Sequence, residues 1–147
     1  MATLISHSPE ETGQLGESWG RNAVPGWVIG LTGDLGTGKT QFVKGFARGL
    51  GVTERVHSPT FALAIEYHGG RLPLFHLDLY RLENARDVFN AGLEEYFYQR
   101  NGVTIVEWAE RAITGDAACQ PGMRYRRVSI EGIGESGRKI EYEDFGD

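Results

Sequence analysis

Gly33-Asp34-Leu35-Gly36-Thr37-Gly38-Lys39-Thr40 is the stretch on which the reading of this chain turns. It fits Gly, four residues, Gly-Lys-Thr, the pattern of a phosphate-binding loop. In a chain with 21 glycines the pattern alone is weak, and its neighbours decide. Before it, Trp27-Val28-Ile29-Gly30-Leu31 reads as a short buried strand. After it, Phe42, Val43, Phe46, Ala47 and Leu50 recur at helical spacing, and Gly51 stands where a helix C-cap glycine belongs. Strand, glycine loop and helix is the order the motif requires.

The residue types suit an anion. Glycines at 33, 36 and 38 lack Cβ, so the backbone can take positive φ and approach a ligand closely. Successive N–H groups then form a concave nest, and the helix N-terminus adds its positive end. The hollow runs from Leu31 to Gln41, lined by Gly33, Asp34, Leu35, Gly36, Thr37, Gly38, Lys39, Thr40 and Gln41. Lys39 brings a point charge to the β- and γ-phosphates, and Thr40 offers a hydroxyl to Mg²⁺. Lysine occurs here only as Lys39, Lys44 and Lys139, so a chance Gly-Lys-Thr is the poorer explanation.

Outward from the loop, Ser8-Pro9-Glu10-Glu11-Thr12 predicts a helix start, with Ser8 as N-cap, Pro9 in the first turn and Glu11 at capping-box spacing. Leu15 and Trp19 give that helix an apolar side, and Pro25-Gly26 turns into the first strand. Beyond the loop helix, Ser58-Pro59-Thr60-Phe61 reads as a loop. Phe61 to Tyr67 and Leu72 to Leu79 read as a β-hairpin closed by Gly69-Gly70. Arg81 to Glu95 reads as short helices, and Val103 to Val106 as a central strand. A loop over Gly115 to Gly122 precedes a terminal hairpin, Arg124 to Glu131 with Arg138 to Glu143.

A nucleotide-hydrolysing site also needs a carboxylate for the Mg²⁺ shell and a group to orient water. Asp78 ends the apolar run Leu74-Phe75-His76-Leu77, where a carboxylate is costly unless a cation or donors compensate. A Mg²⁺ shared with Thr40 would compensate; capping the turn at Arg81 is the structural alternative. Glu107 follows the strand ending at Val106, and ligands gather at the carboxyl ends of strands in open α/β sheets. Glu107 thus ligates Mg²⁺ or orients the water, or else pairs with Arg111. Lys39, Asp78 and Glu107 are the candidate catalytic residues, and Thr60 is a candidate γ-phosphate sensor. Trp108, beside Glu107, reads as a core residue, a nucleotide-side wall or a partner contact, with core packing the default, and His76 reads as a satisfied strand histidine.

The whole chain of 147 residues reads as one domain, long enough for its own core. The net charge of −5 argues against broad autonomous nucleic-acid binding. Arg124, Arg126 and Arg127 form the one basic cluster, read as a solvated strand face. No apolar run nears membrane-spanning length, and Met1 to Glu10 lacks the basic and apolar regions of a signal peptide. The single Cys119 fits a reducing cytoplasm and reads as inert.

Together the motifs resemble one family. Gly-Asp-Leu-Gly-Thr-Gly-Lys-Thr at 33–40, Ser-Pro-Thr-Phe at 58–61, His-Leu-Asp-Leu-Tyr-Arg at 76–81, Gly-Leu-Glu-Glu-Tyr-Phe at 92–97 and Val-Glu-Trp at 106–108 look like TsaE, also called YjeE. The resemblance covers nearly the whole chain. It implies a small α/β P-loop NTPase-like domain with a mixed parallel and antiparallel sheet flanked by helices. It implies an ATPase of tRNA threonylcarbamoyladenosine biosynthesis that binds ATP and Mg²⁺. Such a protein assists TsaB and TsaD, meets tRNA through them, and does not itself transfer the threonylcarbamoyl group. By similarity, Thr40 and Glu107 hold Mg²⁺ with Asp78 in or near that shell, and Ser58-Pro59-Thr60 is a switch loop. Arg138 contacts the nucleotide, and Ser8 approaches the base. The sequence departs from the family at Thr37, often Ala there, and over Ile113 to Pro121. A small-molecule kinase would want an arginine-bearing lid, and a GTPase an Asn-Lys-x-Asp motif; neither stands out. A non-hydrolysing adaptor is the remaining alternative.

Overall fold

Seven strands form one sheet in the order β1-β7-β6-β2-β5-β4-β3. The computed structural model describes residues 2–33, 38–57, 63–98, 101–111 and 124–145. In chain order the elements are β1 (Ala2–Ser6), α1 (Pro9–Asn22), β2 (Trp27–Thr32), α2 (Lys39–Leu50), β3 (Ala64–Tyr67), β4 (Leu74–Asp78), α3 (Ala85–Asn90), β5 (Val103–Glu107), β6 (Arg124–Ile133) and β7 (Gly137–Phe145). Short 3-10 turns occupy Glu94–Tyr98 and Ala109–Arg111. The centre of the sheet, β6-β2-β5-β4, is parallel, and β1, β7 and β3 run antiparallel to their neighbours. This is the mixed α/β sheet expected.

Each face of the sheet buries its own cluster. Ile29, Leu31, Leu74, Ile105 and Ile130 meet Trp19, Phe42 and Phe46 of α1 and α2. Val28, Phe75, Leu77 and Val106 meet Val88, Leu93 and Phe97 on the other side. The strand alternation seen in sequence therefore sorts side chains between two helical layers, and β4 and β5 are buried along their whole length.

The two long helices meet through glycine. A Cβ on Gly16 would fall 2.2 Å from the Phe42 carbonyl oxygen, and one on Gly45 would fall 1.9 Å from that of Gly13. On Gly49 it would fall 2.1 Å from the Glu17 carbonyl. Backbone thus rests on backbone, and α1 is drawn tight against the helix that follows the phosphate loop. Ser8 caps α1, its Oγ accepting from the Glu11 N–H at 3.1 Å. The Glu11 carboxylate accepts from the His7 N–H, one residue ahead of the capping-box partner.

The segment before Ser8, which carries no assignment from sequence, is a strand, β1, paired with β7 from Ala2↔Tyr142 to Ser6↔Arg138. Two expectations are revised. The β3–β4 hairpin has no two-residue Gly-Gly turn. Tyr67 pairs with Leu74, so residues 68–73 form a longer connection, and neither Gly69 nor Gly70 takes positive φ. Tertiary contacts hold that connection. The Arg71 N–H donates to the Leu50 carbonyl at 2.6 Å, and its guanidinium donates to those of Gly20 and Ala23 at 2.9 and 3.0 Å. Leu50 is the last residue of α2, and Gly20 and Ala23 stand at the end of α1, where helix carbonyls run short of intrahelical partners. Finally, Arg126 is not a solvated residue. It lies 4.6 Å from Trp19, 4.9 Å from Trp27 and 4.4 Å from Tyr142, and binds Asp144 through two nitrogens.

Candidate nucleotide site

The end of β2 delivers the chain to Gly33 at φ +137°. Helix α2 then starts from Gly38 at φ +100°, a left-handed conformation that favours glycine. No side chain caps this helix start. Its first N–H groups and the positive end of a twelve-residue helix thus face the loop, the arrangement that attracts an anion. Lys39 is buried, and its Nζ donates to the Gly33 carbonyl at 2.8 Å across the base of the loop. That ammonium also lies 4.2 Å from the centre of the Trp108 ring, a cation–π contact. Thr40 and Gln41 are exposed in the first turn. Asp34, Leu35, Gly36 and Thr37 lie outside the described residues, as do Ser58, Pro59, Thr60, Cys119 and the Gly115 to Gly122 segment.

The two acids sit side by side. Leu31 pairs with Glu107, and Glu107 with Asp78, in one row across the carboxyl ends of three parallel strands. Side chains alternate along a strand. Glu107 therefore shares the face of Ile105, and Asp78 that of Leu74, the face covered by α1 and α2. Both acids are 5% exposed. The Asp78 carboxylate accepts from the Tyr80 N–H at 2.9 Å. The Leu79 N–H donates to the Glu107 carbonyl at 3.0 Å and ties the two strand ends together, while the Asp78 N–H donates to the Leu63 carbonyl, just ahead of β3, at 3.0 Å.

Glu107 is no surface partner of Arg111. Its Oε2 accepts from His76 Nε2 at 2.6 Å, and both side chains are buried. His76 precedes Asp78 by two residues, so it stands on the same face of β4, diagonal to Glu107. The sequence reading missed this pair, although the alternation His76, Asp78 put both side chains on one side of one strand. Directly after Glu107, Trp108 takes φ +58°, a conformation uncommon outside glycine. Its ring meets Tyr80 at 5.0 Å as well as Lys39. Trp108 is thus a contact of the loop lysine as well as a packed ring.

Arg138 comes to the same place from the far end of the chain. A Cβ on Gly38 would lie 3.6 Å from the Arg138 Nε and 3.7 Å from the Thr12 methyl. The Arg138 guanidinium donates to the Gly137 carbonyl at 2.7 Å. Thr12 in turn shares a 2.7 Å hydrogen bond with Ser6, which pairs with Arg138 across β1 and β7. The start of α1, capped by Ser8, therefore stands beside Gly38. A cavity of 390 Å³ lined by Trp19, Trp27, Arg124 and Phe145 lies elsewhere, where β2 and β6 begin.

Carboxylate and hydroxyl oxygens at Asp78, Glu107 and Thr40 are the hard donors Mg²⁺ takes. That ion is held by one or two carboxylates with phosphates and water, without a full protein cage. Among the described residues no three or more His, Cys, Asp or Glu gather into such a cage. No helix among them is long and apolar enough to cross a membrane.

A family model described as "Threonylcarbamoyl adenosine biosynthesis protein TsaE" matches residues 6–140. A Bacillus subtilis protein named "tRNA threonylcarbamoyladenosine biosynthesis protein TsaE" is 51% identical over 102 residues, 69% of this chain and 63% of its own length. The match thus spans less than two thirds of that relative. A Treponema pallidum protein of the same name is 47% identical over 107 residues, 73% of this chain and 78% of its own. The crystal structure of Bacillus subtilis YdiB superposes with a TM-score of 0.76 at 37% identity, covering 96% of this chain and 83% of that one.

Proposed function

The chain belongs to the TsaE family, whose role is in tRNA threonylcarbamoyladenosine biosynthesis, and from that premise we propose that it is a Mg²⁺-dependent ATPase. In this reading it acts in the cytoplasm and assists a TsaB–TsaD complex that modifies the adenosine next to the anticodon. Hydrolysis of ATP supports repeated turnover of that complex. The observation that carries the ATPase reading is the row at the strand ends. An uncapped α2 with Lys39 at its start lies on the same face as two buried acids in register, Asp78 and Glu107.

The triphosphate tail takes the N–H groups of the loop and the start of α2, and competes with the Gly33 carbonyl for the Lys39 ammonium. The Trp108 ring keeps that ammonium from swinging away. Arg138, beside Gly38, adds a second cation from the β7 side. Thr40, Asp78 and Glu107 hold Mg²⁺, which when bound neutralises charge building on the phosphates. Glu107, fixed at the end of β5, orients the attacking water. The acidic net charge of −5 favours contact with tRNA through partners.

Phosphate release from ATP, with Mg²⁺ and with chelator, tests the reaction. Turnover should need the metal and should rise when TsaB and TsaD are added. A rate alone equal to that with partners overturns the accessory role. Lys39→Ala should weaken triphosphate binding about tenfold or more, a loss of about 1.4 kcal/mol or more. Unchanged affinity by fluorescent-nucleotide titration overturns the phosphate cradle.

A further inference from the structure

We propose that His76 is a positioning residue of this site. It holds one oxygen of Glu107, so that the carboxylate presents its other oxygen to a divalent cation in one fixed orientation. The inference rests on the Mg²⁺ reading above and assigns that site a member outside its oxygen ligands.

Its basis is a buried pair. His76 is 1% exposed, and its Nε2 stands 2.6 Å from Glu107 Oε2. His76 lies within Leu74–Asp78, a strand buried at every position. Its Nδ1 is buried and has no hydrogen-bond partner among the described residues. Leaving a ring nitrogen without a partner costs free energy, a cost an aliphatic side chain of similar size would not carry. What the imidazole adds in return is the bond to Glu107. A carboxylate has two oxygens and about four acceptor sites. Among the described residues His76 engages one oxygen, and a bond this short on a buried side chain stops the carboxylate from rotating. Mg²⁺ favours oxygen over imidazole nitrogen, so the ring acts through the acid. Groups that orient a ligand in this way typically change metal affinity by about 10- to 100-fold when removed.

The test measures Mn²⁺ binding, by electron paramagnetic resonance, to the whole chain loaded with a non-hydrolysable ATP analogue. His76→Leu removes the donor at similar volume, and His76→Gln restores an N–H near the position of Nε2. Glu107→Gln serves as the control for the site itself. We expect His76→Leu to raise the Mn²⁺ dissociation constant about tenfold and His76→Gln to recover most of that loss. Analogue affinity in chelator should stay at the wild-type value in both. If Glu107→Gln loses Mn²⁺ affinity and His76→Leu does not, the positioning role is overturned while the metal site stands. If Glu107→Gln binds Mn²⁺ as the wild type does, the metal reading falls and the inference with it. If Leu and Gln at position 76 lose affinity equally and both melt lower, His76 is structural and the inference is overturned. His76→Met, flexible enough to fill an irregular site, replaces His76→Leu if that variant does not melt cooperatively.

Discussion

One sheet handles its acids in two ways. On the antiparallel wing, Asp144 and Glu143 of β7 are partly exposed and matched to guanidinium groups on β6, Arg126 at 2.6 and 2.9 Å and Arg127 at 2.9 Å. At the carboxyl ends of β4 and β5, Asp78 and Glu107 are buried and lean on a backbone amide and an imidazole. The bidentate pair engages both oxygens of Asp144, and the aromatic rings around Arg126 make that pair part of the packing. A single imidazole bond leaves Glu107 acceptor capacity. Acids that join strands are thus placed where water and arginine lower their cost. Those at the ends of β4 and β5 are buried, where the proposed Mg²⁺ would lower that cost.

The largest test of this contrast is Glu107→Gln. It should cut phosphate release by about 10²-fold or more while the protein still melts cooperatively. An equal loss from Arg126→Ala would erase the distinction between the two regions. Gly45→Ala sharpens it from the structural side. Its Cβ would collide with the Gly13 backbone, so it should cost about 1–3 kcal/mol or more by thermal melting. It should also disturb nucleotide binding, because α1 and α2 both reach the loop. Arg126→Ala should cost less, about 1–2 kcal/mol from lost ring contacts and packing, and leave ATP turnover at the wild-type rate.

The smallest effect lies on β3, away from both groups. The Tyr96 hydroxyl donates to Glu66 at 2.7 Å. That bond, with a second from His68, holds the Glu66 carboxyl below its usual range and pushes the Tyr96 phenol up to about 12. An acid lowered on folding adds stability above its unfolded value and loses it as pH falls through the folded one. A raised phenol adds stability below its unfolded value of 10.0, lost as pH climbs toward about 12. Tyr96→Phe should therefore melt slightly below wild type near pH 7. The gap should close in acid below the Glu66 range and again in alkali between those two values. A gap independent of pH would show that the hydroxyl contributes nothing through Glu66.

Local chemistry was legible in the chain because it is written in neighbouring residues. The strand and helix that flank the glycine stretch, the Ser8 cap and the Gly51 stop all follow from residue types a few positions apart. The acids at 78 and 107 were found because each ends an apolar run. What no local pattern carries is which strand lies beside which. Only the sheet order puts Asp78 next to Glu107, sets His76 against Glu107, and brings Arg138 from the last hairpin to Gly38. The turn at 68–73 was misread because its conformation answers to the ends of α1 and α2 more than to its own glycines. The glycines of those helices likewise read as weak helix formers until their backbones are seen in contact. Backbone dihedrals, caps and periodicity depend on neighbours in sequence. Pairing and close approach depend on residues far along the chain, and only the folded arrangement brings those together.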